Sequence, residues 1–484
     1  MHWHDYLPTL LTAALFVNPA NGFRMHSNTI LAYLRRDPVL SPGKVSGHVH
    51  AVSGASGFYS TLTTEGLVDS NCTTMVIQDD FSSYWTAPPM RQWPNGSFSA
   101  LPMTNQLVYY QKRVPNSPIS MFPDNFRVIA GDAMATSASR NRDQTSFRCL
   151  VFDPPTVYGN LVDSSSGWQR LPTMDCTILT LAVTFPGCWD GTNADSANHR
   201  DHVSYNTGPS STCPSTHPIQ IPELTLEMNF DTEGASWEDI YLSSGSASGY
   251  GIHADYVFGW KNGGALLSKA MADSTCLAQE DIMDKGDGSP ICNTMFSHFN
   301  NNAGLACQAD STVDIVHEEV GITRPVPALP GCNLPYDDPG LPSIKPSCPS
   351  TSSPVMDAPS RMVSWWNDVP GRDPSLFGVY DAPSLPAISN KPSRAATPST
   401  GTMFLCTEPN WGGHKETWPW NKNVCKTLTG AFASGIGSAG PNTGICNFYS
   451  EASCKGNIAY STAYPGSANV QDFGGPNLRS FMCV

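Results

Sequence analysis

The chain has little charge, and positive charge is the scarcer kind. Only 14% of its 484 residues are charged, and 27 Lys and Arg stand against 41 Asp and Glu, for a formal net charge of −14. Nucleic acids and anionic membrane surfaces bind clusters of Lys and Arg, and the sequence contains no such cluster. We therefore expect neither partner. After the N-terminal segment there is also no apolar stretch long enough to cross a bilayer, so no membrane insertion is expected.

Familiar catalytic signatures are missing as well. The sequence has no Gly-x-Ser-x-Gly elbow, no P-loop, no Gly-x-Gly-x-x-Gly after a strand and no His-Glu-x-x-His. It also lacks Cys-x-x-Cys pairs and zinc-ribbon spacing. We therefore do not expect the chain to be a serine hydrolase, a nucleotide-binding protein or a zinc protease of the best-known types.

The chain does contain 15 cysteines, 40 glycines and 41 prolines. Scattered cysteines indicate disulfides in an oxidising compartment, and the odd count leaves at least one free thiol or an intermolecular bond. Residues 7–17 form a short apolar run followed by small residues, which predicts a signal peptide over 1–22 and a secreted, extracellular protein. Asn71 and Asn95 begin glycosylation sequons, which have meaning only on a secreted chain.

Short apolar runs separated by turn residues predict a mainly β fold. Residues 219–228 alternate apolar and polar side chains with a period of two, the pattern of a half-buried strand. Helical patterns are weak and lie at about 263–284. For residues 23–320 we predict an antiparallel β-sandwich, jelly-roll-like, with few helices and long loops. The Pro- and Ser-rich residues 321–400 are predicted to be a linker.

Residues 401–484 are predicted to form a small, disulfide-rich β module. They hold five cysteines and two similar units, 404–413 and 446–456, each with a strand, a tight turn and a glycine. These units resemble the hairpin of βγ-crystallin-like domains. Two interpretations stay open for the module: a disulfide-stabilised cap without a ligand, and carbohydrate or cell-wall binding.

A series of short motifs carries a second family resemblance. In order, they are Phe23-Arg24-Met25, Arg36-Asp37-Pro38, Ser46-Gly47-His48-Val49-His50, Ser83-Tyr84-Trp85, Cys188-Trp189-Asp190-Gly191, residues 195–205 and residues 249–256. Through them, the block from Phe23 to about residue 310 resembles a fungal secreted family known as a domain of unknown function, DUF1996. The resemblance implies no activity, so the function has to be argued from the residues.

The polar residues of these motifs form the candidate site. His48 and His50 are two residues apart, so on a strand both imidazoles leave the same face, where they can hold a metal, move protons or bind a polar ligand. The candidate catalytic residues are histidines with nearby aspartates: His48, His50, His199, His202, His253, Asp190, Asp195 and Asp255. The candidate substrate-binding residues are aromatic rings for stacking and one cation: Tyr84, Trp85, Arg127, Trp189 and Trp260.

Three functions fit this set, and we favour a carbohydrate-directed role. A glycan-cleaving hydrolase would place carboxylates or an imidazole across the scissile bond, and a lyase would remove a proton beside a uronate. Its partner would be a polysaccharide or a cell-wall glycan. The second function is a metal-dependent enzyme with a divalent metal at His48 and His50; no other cofactor is predicted. The third is a non-catalytic wall- or ligand-binding protein whose histidines are structural.

Overall fold

The computed structural model describes most of the chain outside its N-terminus and the region 346–399. The described residues are 22–114, 117–137, 145–151, 160–162, 170–206, 212–277, 292–310, 313, 315–316, 318–331, 333–337, 341, 343, 345, 356–357, 400–409, 411–441, 445–455, 458–463, 470 and 477–483. The predicted signal peptide lies outside them except for Gly22. No helix among these residues is long and apolar enough to span a membrane.

Strands dominate the described chain before residue 400. They are β1 (Gly22–Ser27), β2 (Ala32–Arg36), β3 (Val45–Gly54), β4 (Ser83–Thr86), β5 (Pro89–Gln92), β6 (Phe98–Ala100), β7 (Met103–Gln111), β8 (Arg127–Gly131), β9 (Thr145–Val151), β10 (Asn160–Val162), β11 (Ile178–Thr184), β12 (Cys188–Trp189), β13 (Val203–Ser204), β14 (Ile219–Gln220), β15 (Glu223–Asp231), β16 (Ile240–Leu242), β17 (His253–Val257), β18 (Ile315–Val316) and β19 (Met356–Asp357). The helices are short: α1 (Thr64–Val68), α2 (Lys261–Ala272), α3 (Ser274–Leu277), α4 (Asn293–Phe296) and α5 (Asn301–Ala306).

Two antiparallel sheets form the main sandwich. One has six strands in the order β1-β7-β15-β11-β9-β10, and the other has five in the order β2-β3-β4-β17-β8. Buried side chains of both sheets share one hydrophobic core, and Phe185, after β11, packs on Tyr256 of β17 with ring centroids 6.3 Å apart. The prediction of a mainly β, antiparallel sandwich with few helices is confirmed. The half-buried strand predicted over residues 219–228 is divided into β14 and β15, which belong to different sheets. Every residue of β15 before Asp231 is buried, so the expected exposed face is absent.

The two faces of the five-stranded sheet have different roles. Because side chains alternate along a strand, Tyr84 of β4 and Tyr256 of β17 point into the sandwich core. The next residue along β4, Trp85, points to the opposite face, called the outer face below. There a second apolar cluster covers the sheet, with Phe58 and Leu67 contributed by the chain between β3 and β4. This outer face also carries the candidate site.

Six disulfides stabilise the described chain. They join Cys72–Cys307, Cys149–Cys176, Cys188–Cys213, Cys276–Cys292, Cys425–Cys454 and Cys446–Cys483. Among the described cysteines only Cys406 is unpaired, and it is buried. The expected disulfides are thus present, and Cys406 fits the expectation of a cysteine left for a free thiol or an intermolecular bond.

The C-terminal residues form a second set of sheets. Their strands are β20 (Thr400–Glu408), β21 (Gly412–Asn421), β22 (Cys425–Thr427), β23 (Ser438–Pro441), β24 (Ile445–Tyr449), β25 (Ile458–Ala463) and β26 (Ser480–Cys483). They make a three-stranded and a four-stranded sheet around a core drawn entirely from residues 403–483. Both predicted units contain left-handed turn residues, Trp411 at φ 60° and Ser453 at φ 62°.

The first part of the predicted linker packs on the main core. Val326, Leu329 and Tyr336 are each at most 8% exposed, and the first two belong to the core cluster of the sandwich. Most of the remaining residues up to 399 lie outside the described chain. The domain boundaries at 320 and 400 therefore stay predictions.

Hydrogen bonds between buried side chains in the sandwich core lead to a prediction about stability. The Tyr84 hydroxyl lies 2.6 Å from Asp80 Oδ2 and 2.7 Å from the Tyr110 hydroxyl. Tyr84→Phe leaves the buried Asp80 carboxyl without this donor, so we expect the free energy of unfolding to fall by about 1–3 kcal/mol. Denaturant unfolding would measure the loss. Tyr205→Phe removes a single bond to the Thr184 carbonyl and should cost less; an equal cost would contradict the prediction.

Candidate functional site

Strand pairing brings two distant histidines to the same end of the outer face. Thr86 of β4 pairs with Ala51 of β3 on one side and with Ala254 of β17 on the other. His50 and His253 directly precede these two alanines, so they occupy equivalent positions on strands two apart. Strands two apart are separated by roughly 9–10 Å, a gap that two imidazole side chains can bridge.

The three histidines of these strands meet in one cluster. His48 Nε2 lies 3.1 Å from His253 Nε2, and the ring centroids of His48 and His50 are 4.4 Å apart. One ring nitrogen from each of His48, His50 and His253 lies within 4.8 Å of the other two. Within the described chain this is the one group of three or more His, Cys, Asp or Glu with metal-binding geometry.

Backbone carbonyls set the tautomers of the two buried rings. His50 Nδ1 lies 2.8 Å from the carbonyl oxygen of Arg36, and His253 Nδ1 lies 3.0 Å from that of Gly251. A carbonyl oxygen can only accept, so each Nδ1 donates its proton and each Nε2 turns a lone pair toward the cluster. His50 Nε2 is buried and has no hydrogen-bond partner among the described residues. Nδ1–H to carbonyl bonds of this kind typically orient metal-ligating histidines.

The three imidazoles are neutral at ordinary pH. Burial lowers the pKa of His50 to about 4, and burial together with the neighbouring His50 lowers the pKa of His253 to about 4. The pKa of His48 is also lowered well below its usual value, by burial and then by the two neighbouring histidines. Neutral imidazole is the form that binds metals, so no imidazolium has to lose its charge before binding. His48 Nε2 donates to His253 Nε2 in this arrangement, so its proton would have to move to Nδ1 before Nε2 could bind a metal.

The cluster opens toward solvent at His48. His50 and His253 are at most 1% exposed, whereas His48 is half-buried. The neighbouring Gly47 is exposed as well. A ligand can therefore reach the cluster at His48.

Two aspartates lie close to the cluster. Asp255 follows His253 by two residues on the same face. Both of its carboxyl oxygens are buried and have no hydrogen-bond partner in the part of the chain that the structure describes. Burial raises its pKa well above the usual value, with Asp37 raising it further and Arg200 opposing. Asp37 lies within electrostatic range of His253, and its Oδ1 accepts bonds of 3.0 Å from the amides of Val39 and Leu40.

His199, Asp195 and Arg127 form a separate group at the sheet edge. His199 Nδ1 lies 2.7 Å from Asp195 Oδ1, and Arg127 Nε lies 3.6 Å from Asp195 Oδ2. The loop between β12 and β13, which contains Asp195 and His199, is held at β8 by a 3.2 Å hydrogen bond from the Ile129 amide to the His199 carbonyl. His199, at φ 57°, adopts a left-handed conformation. These residues were predicted to share a pocket with the three histidines, but they are not members of the three-histidine cluster.

The remaining catalytic candidates shape the loop before residue 205. Asp190 Oδ1 caps a turn by accepting from the amides of Thr192 and Asn193. His202 is buried, with Nδ1 3.0 Å from the Ser196 hydroxyl and its ring against Phe126. Asp190 thus makes contacts within its own loop, whereas His202 packs that loop on Phe126 next to β8. Their catalytic role stays a prediction.

Three of the predicted sugar-stacking rings have no exposed face. Tyr84, Trp85 and Trp260 are each 0% exposed: Tyr84 and Trp260 lie in the sandwich core and Trp85 under the apolar cover of the outer face. Stacking on a sugar requires an open ring face, so these three do not serve as a platform in this structure. Trp189 is half-buried and bonds through Nε1 to the Asn193 carbonyl at 2.6 Å.

Sequence reasoning missed three charged residues near the cluster: Asp37, Arg200 and Lys345. Asp37 and Arg200 lie in the motifs of the resemblance, which was the available signal. Lys345 lies in the predicted linker and is within electrostatic range of His48. Only the fold shows that proximity.

Comparisons with known proteins add a family match for the region of the site. Among solved structures, one similar chain is the solution structure of the fifth crystallin domain of the non-lens protein Absent in melanoma 1, at 18% sequence identity. The match covers 18% of this chain and 90% of that one, with a TM-score of 0.15, too low to support a structural argument. The comparison with curated proteins found no match. Residues 37–260, which include all three clustered histidines, match the family model DUF1996, a domain of unknown function.

Proposed function

We propose that this protein binds a divalent transition metal through His48, His50 and His253 and uses it to cleave an extracellular carbohydrate. The observation that carries the proposal is the convergence of three ring nitrogens within 4.8 Å, with two of the rings oriented by backbone carbonyls. Without a metal, the buried His50 Nε2 has no hydrogen-bond partner within the described ranges. A bound metal would satisfy it.

The donor set favours zinc over magnesium or calcium. Three neutral imidazoles suit Zn²⁺ or Cu²⁺, whereas Mg²⁺ and Ca²⁺ take oxygen ligands. At Zn–N distances of about 2.0–2.1 Å a tetrahedral site places two nitrogens roughly 3.3 Å apart. The 3.1 Å between His48 Nε2 and His253 Nε2 is already close to that separation. The ring nitrogen of His50 lies within 4.8 Å of the other two and would have to move closer to them.

Three protein ligands leave a coordination position for water or substrate, the arrangement of catalytic rather than structural zinc sites. A metal in such a site polarises an oxygen of the substrate or lowers the pKa of a bound water. The open position would face solvent on the His48 side. Asp255 is fully buried two residues further along β17, and burial raises its pKa, so it is not assigned the role of proton acceptor.

The disulfides and the family resemblance support the proposal that the substrate is a carbohydrate. Six disulfides are typical of proteins that fold in an oxidising compartment, which supports secretion. For a secreted protein resembling a fungal family, cell-wall glycans and plant polysaccharides are the abundant substrates. Hydrolysis and elimination both remain within the proposal.

Product analysis on a glycan panel tests the activity. We expect chain-shortened products from protein loaded with one equivalent of Zn²⁺, and none above background after chelation and dialysis. New reducing ends without ultraviolet absorbance would identify a hydrolase, and an unsaturated product absorbing in the ultraviolet would identify a lyase. Glycan binding without product, at full metal occupancy, would refute cleavage and favour a wall-binding protein.

A further inference from the structure

The loop between β16 and β17, residues 243–252, contacts the backbone of both histidine strands. Its Ser243 hydroxyl donates to the Val49 carbonyl at 2.7 Å, and Val49 lies between the two histidines of β3. Its Gly251 carbonyl accepts from His253 Nδ1 at 3.0 Å. The position of this loop, called the 243–252 loop below, therefore affects the direction in which His253 Nε2 points.

A single carboxylate, that of Asp337, holds the middle of the 243–252 loop. Asp337 Oδ1 accepts from the backbone amides of Ala247 and Ser248, each at 2.8 Å. Asp337 Oδ2 accepts from the Ser246 hydroxyl at 2.7 Å. Hydrogen bonds to an ionised carboxylate are stronger than those between neutral groups. Three donors of the loop thus depend on one side chain, which belongs to a segment that composition alone described as linker.

The Ser246 hydroxyl extends these contacts to the residue that orients His253. Besides donating to Asp337, its oxygen accepts from the Gly251 amide at 3.4 Å. The two residues are also in close contact, because a Cβ placed on Gly251 would lie 3.3 Å from the Ser246 Cβ. Since the Gly251 carbonyl accepts from His253 Nδ1, a series of hydrogen bonds connects Asp337 to His253.

The segment that carries this carboxylate, residues 333–337, also contacts β3. Asn333 is 2% exposed and donates through Nδ2 to the Gly47 carbonyl at 2.9 Å, directly before the first histidine of that strand. The amide and the carbonyl of Tyr336 each make a backbone hydrogen bond of 3.0 Å to the 243–252 loop. The segment is therefore held against both histidine-bearing parts of the chain, which fixes the position of its carboxylate.

We propose that Asp337 is a positioning residue of the metal site. It fixes the 243–252 loop, and the loop fixes the Gly251 carbonyl that directs His253 Nε2 toward the metal. The inference rests on the proposed function, because the metal is the ligand for which His253 is oriented. Groups that orient a metal-binding histidine contribute about 10–100-fold to affinity. Because Asp337 acts through the loop, we expect its contribution at the lower end of this range.

Metal titration of two Asp337 variants tests the inference. Asp337→Ala removes all three hydrogen bonds and should weaken zinc binding to the full chain roughly tenfold. Asp337→Asn keeps an oxygen for the two amides and suits the left-handed backbone of this residue, at φ 66°, so it should recover much of the affinity. Calorimetry measures the affinity. The visible spectrum of bound Co²⁺, which reports ligand geometry, should shift in the alanine variant and return toward that of the wild type in the asparagine variant.

Asp273→Ala is the matched control. Asp273 also accepts three hydrogen bonds, from the amide and the hydroxyl of Thr275 and from the hydroxyl of Thr294, and it lies outside the three-histidine cluster. We expect its loss to leave the zinc affinity and the Co²⁺ spectrum unchanged. An equal loss of affinity in both alanine variants would show a general effect of destabilisation and would overturn the inference.

The wild type and His253→Ala separate the inference from the proposed function. If the wild type binds zinc and His253→Ala does not, unchanged affinity and spectrum in Asp337→Ala would overturn the inference alone. Failure of the wild type to bind any transition metal would refute the proposed function, and the inference with it. If Asp337→Ala does not fold, Ser246→Ala removes only the connecting hydroxyl. It should weaken zinc binding roughly twofold to tenfold, the effect of one hydrogen bond, and unchanged affinity would overturn the inference.

Discussion

Replacing His253 with alanine is expected to abolish stoichiometric metal binding. Its Nε2 lies 3.1 Å from His48 Nε2, and its Nδ1 is held by the Gly251 carbonyl, so the substitution removes an oriented ligand from the centre of the cluster. Changes in the groups that merely orient a ligand cost about 10–100-fold in affinity. Loss of the ligand itself should cost on the order of 100-fold or more. Zinc titration by calorimetry and elemental analysis after dialysis would measure the change.

Three comparisons make this result specific. His50→Ala should have the same effect, because His50 supplies the second oriented imidazole. His414→Ala is the matched control, since His414 is 55% exposed in the C-terminal module and lies outside the cluster. Circular dichroism checks that the variants fold; if an alanine leaves too large a cavity, His253→Gln replaces it. Stoichiometric binding of unchanged affinity in a folded His253 variant would show that the metal site is elsewhere.

The metal-free protein is expected to lose stability on acidification because of the buried histidines. The folded-state pKa of His50 and of His253 is about 4, against an ordinary value of 6.5. Between these two pH values the unfolded chain binds more protons than the folded chain, so the free energy of unfolding falls as pH falls from 6.5 toward 4. Each histidine contributes a loss of ~3 kcal/mol once the pH is below both pKa values. Above pH 6.5 the histidines are neutral in both the folded and the unfolded state, so they no longer make the free energy of unfolding depend on pH.

A difference measurement isolates the histidine contribution. Burial raises the pKa of Asp80 from 3.8 to about 7. Between these two pH values the folded chain binds more protons at Asp80 than the unfolded chain does. Asp80 therefore makes the free energy of unfolding rise as pH falls, which opposes the effect of the histidines. The informative quantity is therefore the free energy of unfolding of chelated His253→Gln minus that of chelated wild type. It should shift in favour of the variant by about 3 kcal/mol from pH 7 to pH 4. A pH-independent difference would contradict the prediction, and His414→Gln should show none.

Local pattern was enough to predict the fold class and part of the site. The alternation over residues 219–228 predicted a strand because side-chain direction along a strand repeats every two residues. The same rule correctly predicted that His48 and His50 share a face. It also implied that the neighbours Tyr84 and Trp85 face opposite sides of a sheet, which excludes a common stacking platform. The substrate-binding prediction did not use that consequence.

Contacts between distant segments were beyond local pattern. His253 meets His48 across 205 positions of sequence only because β3 and β17 both pair with β4. Similarly, Val326 and Leu329 read as linker from composition, yet they pack in the sandwich core. Composition describes a segment on its own. Burial depends on which surface the rest of the chain presents to it.

The sequence by itself determined the β class, the disulfide-rich character, the unpaired cysteine and the same-face pair His48 and His50. Each follows from composition or from the period of a strand, and both are local properties. Tertiary structure alone decided which third histidine joins the pair, which tautomers the carbonyls of Arg36 and Gly251 impose, and how far burial lowers the imidazole pKa values. Strand order and the exclusion of water set these features, and both arise only when the whole chain is packed.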